Sequence, residues 1–176
     1  MSIVARVLGY LDFQLAWEPA DLNSAGANGD WVAVPPGGVG FLLLMGDGTG
    51  SYDITLTVQQ ATDNAGSGVK VCNCLETGKI YTEYGATYAA YALLSEWTKI
   101  TQATADEQYA DATNGEAVGI TSLQIFPADL DVDGGFCYIR VNASDPGASK
   151  IAAGLYVFHG LAYPNSPELL DDPKGN

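Results

Sequence analysis

Residues 54 to 60, Ile54-Thr55-Leu56-Thr57-Val58-Gln59-Gln60, carry the strictest pattern in the chain. Apolar Ile54, Leu56 and Val58 alternate with polar Thr55, Thr57 and Gln59, and four of the first five residues are β-branched. A period of two sends alternate side chains to opposite faces, so this run fits a half-buried strand and no helix. A strand that hides only one face needs a second layer over that face. The chain therefore has to supply further strands with the same character.

It does so repeatedly. Leu11, Phe13, Leu15 and Trp17 fall on odd positions with Asp12 and Gln14 between them, which predicts a strand with all four apolar residues on one face. Phe41 to Met45 is a short continuous apolar run, predicting a strand buried on both faces. Val69 to Leu75 returns after the turn-forming residues 61 to 68, and Cys72 and Cys74 share one of its faces. Residues 119–126, 136–141 and 151–159 read as extended, and turns are signalled by Pro35-Pro36-Gly37-Gly38, Gly46-Asp47-Gly48 and Ser144-Asp145-Pro146-Gly147. Two regions read differently. Tyr84, Tyr88 and Tyr91 have helical spacing, predicting a short helix or an irregular connection over 81–91, and residues 104–112 suit one helical turn capped by Thr104. Leu94 to Ile100 alternates as another strand.

The expectation is an all-β chain of seven to nine strands with little helix, folded as an antiparallel β-sandwich, a jelly roll or a related two-sheet fold. At 176 residues one domain is the default, here residues 1–163 with a Pro-rich C-terminal tail over 164–176.

Charge narrows the partners. Lys and Arg total 7 against 21 Asp and Glu, a formal net charge of −14, so phosphate backbones and anionic headgroups are repelled at long range. No nucleic-acid partner is expected. No membrane is either, because no run approaches the roughly 20 apolar residues of a spanning helix; the nearest, 32–45, is broken by Pro35, Pro36 and glycines. Asp12 and Glu18 interrupt any signal-peptide core after Arg6, which points to assembly in a cytoplasm. Three cysteines make no complete disulfide framework, and Cys72-x-Cys74 lacks the usual zinc-knuckle spacing, so buried reduced thiols are expected.

Asp129, Asp131, Asp133 and Gly134 open like a calcium loop, with oxygen ligands two residues apart. The twelfth position, where an EF-hand has its bidentate Glu, is Arg140 inside a strand-like run. Leu130 and Val132 alternate with the acids, which favours a strand-turn-strand corner over a metal site. His159 is the single histidine, at the end of an apolar strand, and no Gly-x-Ser-x-Gly elbow or phosphate loop is present. The residues offer no catalytic set and call for no cofactor.

Three stretches, Ile54 to Asp63, Asp129-Leu130-Asp131-Val132-Asp133-Gly134-Gly135-Phe136, and Tyr156 to Leu170 with its Tyr-Pro and Pro-Glu-Leu elements, together resemble tailed-bacteriophage virion structural proteins of the capsid decoration (cement) and minor head family. The resemblance spans roughly residues 30–170. It implies a small β-sandwich on the outer face of an icosahedral head, gripping the major capsid protein as an oligomer, with a homotrimer as the self-assembly and no catalytic residues. The implied location is the virion surface after assembly in a host cytoplasm. Such a protein works by apolar arms and weak contacts made together. The candidate interface residues are Leu11, Phe13, Leu15 and Trp17 in the first strand and Tyr163, Leu169 and Leu170 in the tail. A neck or tail component is the structural alternative. A carbohydrate-binding host-attachment module is the alternative from another class, which needs Trp17, Trp31 or Trp97 exposed beside polar groups.

Overall fold

The computed structural model describes residues 11–23, 25–48, 53–85, 96–110 and 118–159. Along the chain run β1 (Leu11–Asp21), β2 (Ala27–Asn28), β3 (Val32–Ala33), β4 (Val39–Gly48), β5 (Thr55–Ala61), β6 (Lys70–Val71), β7 (Ile80–Gly85), β8 (Thr98–Lys99), β9 (Gln108–Ala110), β10 (Val118–Ile125), β11 (Tyr138–Ala143) and β12 (Lys150–His159). Seven of these strands have six residues or more, and the only helical turns among the described residues are two three-residue 3-10 segments.

The strands form two antiparallel sheets. The first has the order β1-β12-β4-β10-β7-β8, the second β2-β11-β5-β6, with β3 beside β11 and β9 beside β5. The first long strand pairs with the last, and the chain passes repeatedly from one sheet to the other. The order β1-β12-β4-β10 opposite β2-β11-β5-β6 is that of a jelly roll, two interleaved Greek keys. β7 and β8 widen the first sheet beyond β10. The outermost strand, β8, is only two residues long and carries Lys99, which blunts that edge against pairing with another chain.

The core lies between the sheets. β5 presents Leu56, Val58 and Gln60 inward and Thr55, Thr57 and Gln59 outward, as its alternation requires. Opposite them, Ile139, Val141 and Ala143 point inward from β11. From the first sheet come Phe41, Leu43, Leu123, Tyr156 and Phe158, all buried. Trp17, Phe41, Tyr156 and Phe158 form an aromatic chain, with successive ring centroids 5.4, 5.7 and 6.3 Å apart. Burying such a side chain contributes about 1.5–3 kcal/mol, so this row is a main source of stability.

Several expectations are corrected. Trp17 does not share a face with Leu11, Phe13 and Leu15. The register slips between Leu15, which faces Leu155, and Trp17, which faces Gly154, so the extra residue turns the indole inward. Phe41 to Met45 is buried on one face only, since Leu42 is half-buried and Leu44 is 36% exposed. Tyr81 and Tyr84 belong to strand β7 and not to a helix; Tyr88 and Tyr91 lie outside the described residues. The helical turn expected after Thr104 is replaced by β9, where Asp106 accepts the Gln108 N–H at 3.1 Å and Tyr109 is buried opposite Leu56. Of residues 94–100, those described form only the two-residue β8, and the strand expected over 69–75 is limited to Lys70–Val71.

Candidate interaction surfaces

The register of the first sheet decides what it shows to solvent. Partners across the sheet share a face, so Phe13 lies beside Val157, Leu15 beside Leu155, Leu155 beside Leu42, and Leu44 between Ala153 and Ile120. All of them point away from the main core cluster, although Val157 and Ala153 are themselves buried. Among the described residues Phe13 is 42%, Leu15 50%, Leu44 36% and Ile151 47% exposed, and Leu11, Leu42, Ile120 and Leu155 are half-buried. The outward face across β1, β12 and β4 is thus largely apolar, with β10 adding Ile120 beside the polar Ser122 and Gln124, on a sheet whose other face is already packed. No described Lys or Arg points outward from these four strands; Lys150 of β12 is buried. Asp21 adjoins Ile151 in the register and Glu83 adjoins Ile120, so acids border the face on both sides. Hydrogen bonds from the Lys150 N–H and Ser149 hydroxyl hold Asp21 below the usual carboxylate range, keeping it ionised.

Leu11, Phe13 and Leu15 are therefore brought together on this face, whereas Trp17 is not. Tyr163, Leu169 and Leu170 lie outside the described residues. Sequence reasoning missed Leu42, Leu44, Ile120, Ile151 and Leu155. In β12 Ile151, Ala153, Leu155 and Val157 alternate with Ala152, Gly154, Tyr156 and Phe158, so both faces read apolar and nothing marks one as outward.

The acidic segment 129–134 is a corner. Asp129 accepts the Phe126 N–H at 2.8 Å and pairs with Lys79, which also lies 3.4 Å from Glu76. Asp131 caps the second 3-10 turn, accepting the Gly134 N–H at 3.0 Å, and pairs with Lys70. Burial alone would lower the Lys79 pKa, but its contacts with Asp129 and Glu76 outweigh that and raise it. The Lys70 ammonium and the Gly134 N–H hold Asp131 below its ordinary value. Two lysines thus take the positions a cation would need. Among the described residues no group of three or more His, Cys, Asp or Glu is gathered for a metal.

Cys72 and Cys74 are buried in the core, where the Cys72 thiol donates to the Asp129 carbonyl at 3.5 Å, and the neighbouring Cys72 thiol together with burial pushes the Cys74 thiol up, so it stays protonated. Cys137 is exposed, beside a mostly apolar cleft of about 430 Å³ lined by Val34, Pro36, Leu130, Val132 and Phe136. His159 borders a smaller cleft of about 210 Å³ with Gly37, Gly38, Gln124 and Phe126. Among the described residues, neither cleft holds a nucleophile set against a base.

The outward face of the second sheet is mostly polar, with exposed Val71 beside Gln59. The Gln59 side-chain oxygen accepts from Arg140 Nε at 2.8 Å and Asn142 Nδ2 at 3.1 Å, and the Arg140 guanidinium lies 4.7 Å from the Trp31 ring centre. Trp31 is half-buried there, and Trp97 is 49% exposed just before β8. The chain matches no family model, no curated protein and no solved structure.

Proposed function

We propose that this chain is a non-enzymatic phage virion structural protein, a decoration or cement protein that binds the outer face of the major capsid protein shell and stabilises the head. The observation that carries the reading is the largely apolar outward face of β1, β12 and β4, extended by Ile120 of β10. A contiguous exposed apolar face marks an interaction site, and the paired strands of one sheet present it together. The resemblance of the 54–63, 129–136 and 156–170 stretches to virion proteins supplies the kind of partner. Jelly rolls serve capsid and lectin domains alike, so the fold agrees with the reading without selecting it. Binding as a homotrimer multiplies a weak contact by avidity. The deciding experiment is negative-stain microscopy of virions lacking the protein: missing surface knobs and fragile heads support the reading, and intact, normally decorated heads overturn it.

A second reading, a carbohydrate-binding host-attachment module, is favoured by the Trp31, Arg140, Gln59 and Asn142 group on the other sheet, where an indole stands among hydrogen-bonding groups. Heads that remain sturdy on virions that no longer adsorb to cells would select it over cementing.

A further inference from the structure

We infer that the apolar face of the first sheet takes an amphipathic partner surface whose apolar stripe is bordered by Lys or Arg, and not a second copy of this chain. The inference rests on the structural reading above and names the chemistry of its docking partner.

The first argument is area. Four strands about 4.8 Å apart and about six residues deep make a face on the order of 400 Å². A stable protein–protein interface of standard size needs about 800 Å² from each partner. Two copies meeting face to face bury too little apolar surface to hold together on this face alone, whereas a partner that also reaches the acidic rim extends the contact beyond it.

The second argument is charge. Each copy carries a net −14, and the face is bordered by Asp21 beside Ile151 and Glu83 beside Ile120. A two-fold axis through the face sets these acidic borders against each other, with no described Lys or Arg pointing outward from the four strands to compensate. A basic-rimmed partner reverses that sign. It covers Phe13, Leu15, Leu44 and Ile151 with apolar groups and places ammonium or guanidinium groups over Asp21 and Glu83, adding rim contacts that speed and orient association. The other sheet lacks this combination, because its outward face is mostly polar and already hydrogen-bonded through Gln59.

The test uses the full chain and a synthetic amphipathic helix of about 18 residues built from Leu and Lys, with Lys/Ser and Leu/Glu peptides for comparison. Binding is measured by fluorescence anisotropy at about 0.15 M salt, where long-range attraction is screened. The Leu/Lys peptide should bind at least about tenfold more tightly than either comparison peptide. Leu44→Glu and Leu15→Glu should each weaken it by about tenfold, although both make the protein more acidic. That sign separates docking on the face from bulk attraction to an acidic protein. Thermal melts identify any variant that fails to fold, and the more exposed Leu15 site serves as the second test.

Four results overturn the inference: Leu44→Glu and Leu15→Glu binding the Leu/Lys peptide as tightly as the parent; equal affinity for Leu/Glu; a loss of self-association in Leu44→Glu by sedimentation, which makes the occupant a second copy; or peptide binding that arises only after removal of residues 1–10 or 160–176, which makes the occupant this chain's own segment. The outcomes are independent of the virion reading. Peptide selectivity with undisturbed heads defeats the virion assignment alone, whereas lost knobs with no peptide selectivity defeat this inference alone.

Discussion

Tyr156 and Val141 lie in opposite sheets and meet through the core. The Tyr156 hydroxyl accepts the Val141 N–H at 3.0 Å and donates to the Asp30 carbonyl, also at 3.0 Å. β11 pairs with β2 only through Asn142 and Ala143 and with β3 only through Tyr138 and Ile139, which leaves Val141 at the gap between them. The phenol fills it. Gly29 makes room, since a Cβ there would lie 2.5 Å from both the Tyr156 hydroxyl and the Val141 carbonyl. Full burial pushes the phenol pKa up, so it remains a protonated donor at neutral pH.

Tyr156→Phe keeps the ring and removes one atom, leaving the buried Val141 N–H without that partner. An unsatisfied buried group costs about 1–3 kcal/mol, and a loss of that size is expected in urea unfolding. Hydrogen exchange at the Val141 amide should rise more than at neighbouring β11 amides. Unchanged exchange there would show that another group closes the gap.

Gly154 and Trp17 form a second cross-strand contact. A Cβ on Gly154 would stand 2.7–2.8 Å from three carbons of the Trp17 ring, closer than side chains approach. Gly154→Ala should therefore displace the indole and destabilise the fold by about 1–3 kcal/mol. Gly40→Ala, whose added Cβ meets its nearest neighbour at 3.5 Å, is the control and should cost less. A red-shifted tryptophan emission in the first variant alone would identify Trp17 as the residue that moves.

Trp17 also illustrates what the sequence could and could not disclose. Strict alternation made β5 and the sandwich legible, because polar Thr55, Thr57 and Gln59 mark its outward face. In β1 the same rule predicted one face for Leu11, Phe13, Leu15 and Trp17, but a register slip after Leu15 sends Trp17 to the other side. A bulge is set by pairing with β12 and leaves no local signature in an apolar strand. The apolar face was hidden for a related reason. Leu42 and Leu44 sit between buried Phe41, Leu43 and Met45, so continuous apolarity suggested burial on both sides. Only the number of sheets stacked together distinguishes a covered face from a bare one. Conversely, Arg140 argued against an EF-hand from sequence alone, but the partnership of Asp129 and Asp131 with Lys79 and Lys70 depends on residues about 50 or 60 positions away.

Asp131 predicts a pH dependence with a definite sign. Its pKa lies below the ordinary 3.8, so its contribution is present above that pH and is lost as pH falls through the depressed value. Asp131→Asn cannot ionise. The stability gap between parent and variant should be widest at about pH 5 and close towards about pH 2. Comparing the two proteins cancels Asp21 and Asp63, which are depressed as well. Denaturant midpoints at the two pH values provide the measurement, and a gap independent of pH would mean that the Lys70 contact contributes nothing in solution. Because this corner is solvent-exposed, the gap should also shrink with added salt.

Leu43 and Leu44 are adjacent on β4, yet substitution should separate them sharply. Leu43 is 2% exposed and packs between the sheets, whereas Leu44 is 36% exposed on the bare face. Leu43→Ala opens a cavity that the surrounding aromatic and aliphatic groups only partly refill, at a cost of about 2–5 kcal/mol. Leu44→Ala removes atoms with water on one side and should cost no more than about 1 kcal/mol. The dye response should reverse that order. A probe of exposed apolar surface should bind the folded parent, and Leu44→Ala should weaken that binding while Leu43→Ala leaves it unchanged below its unfolding transition. Equal stability losses at the two sites would mean that both sides of β4 are covered in the isolated protein, and the bare face would then have no place in partner binding.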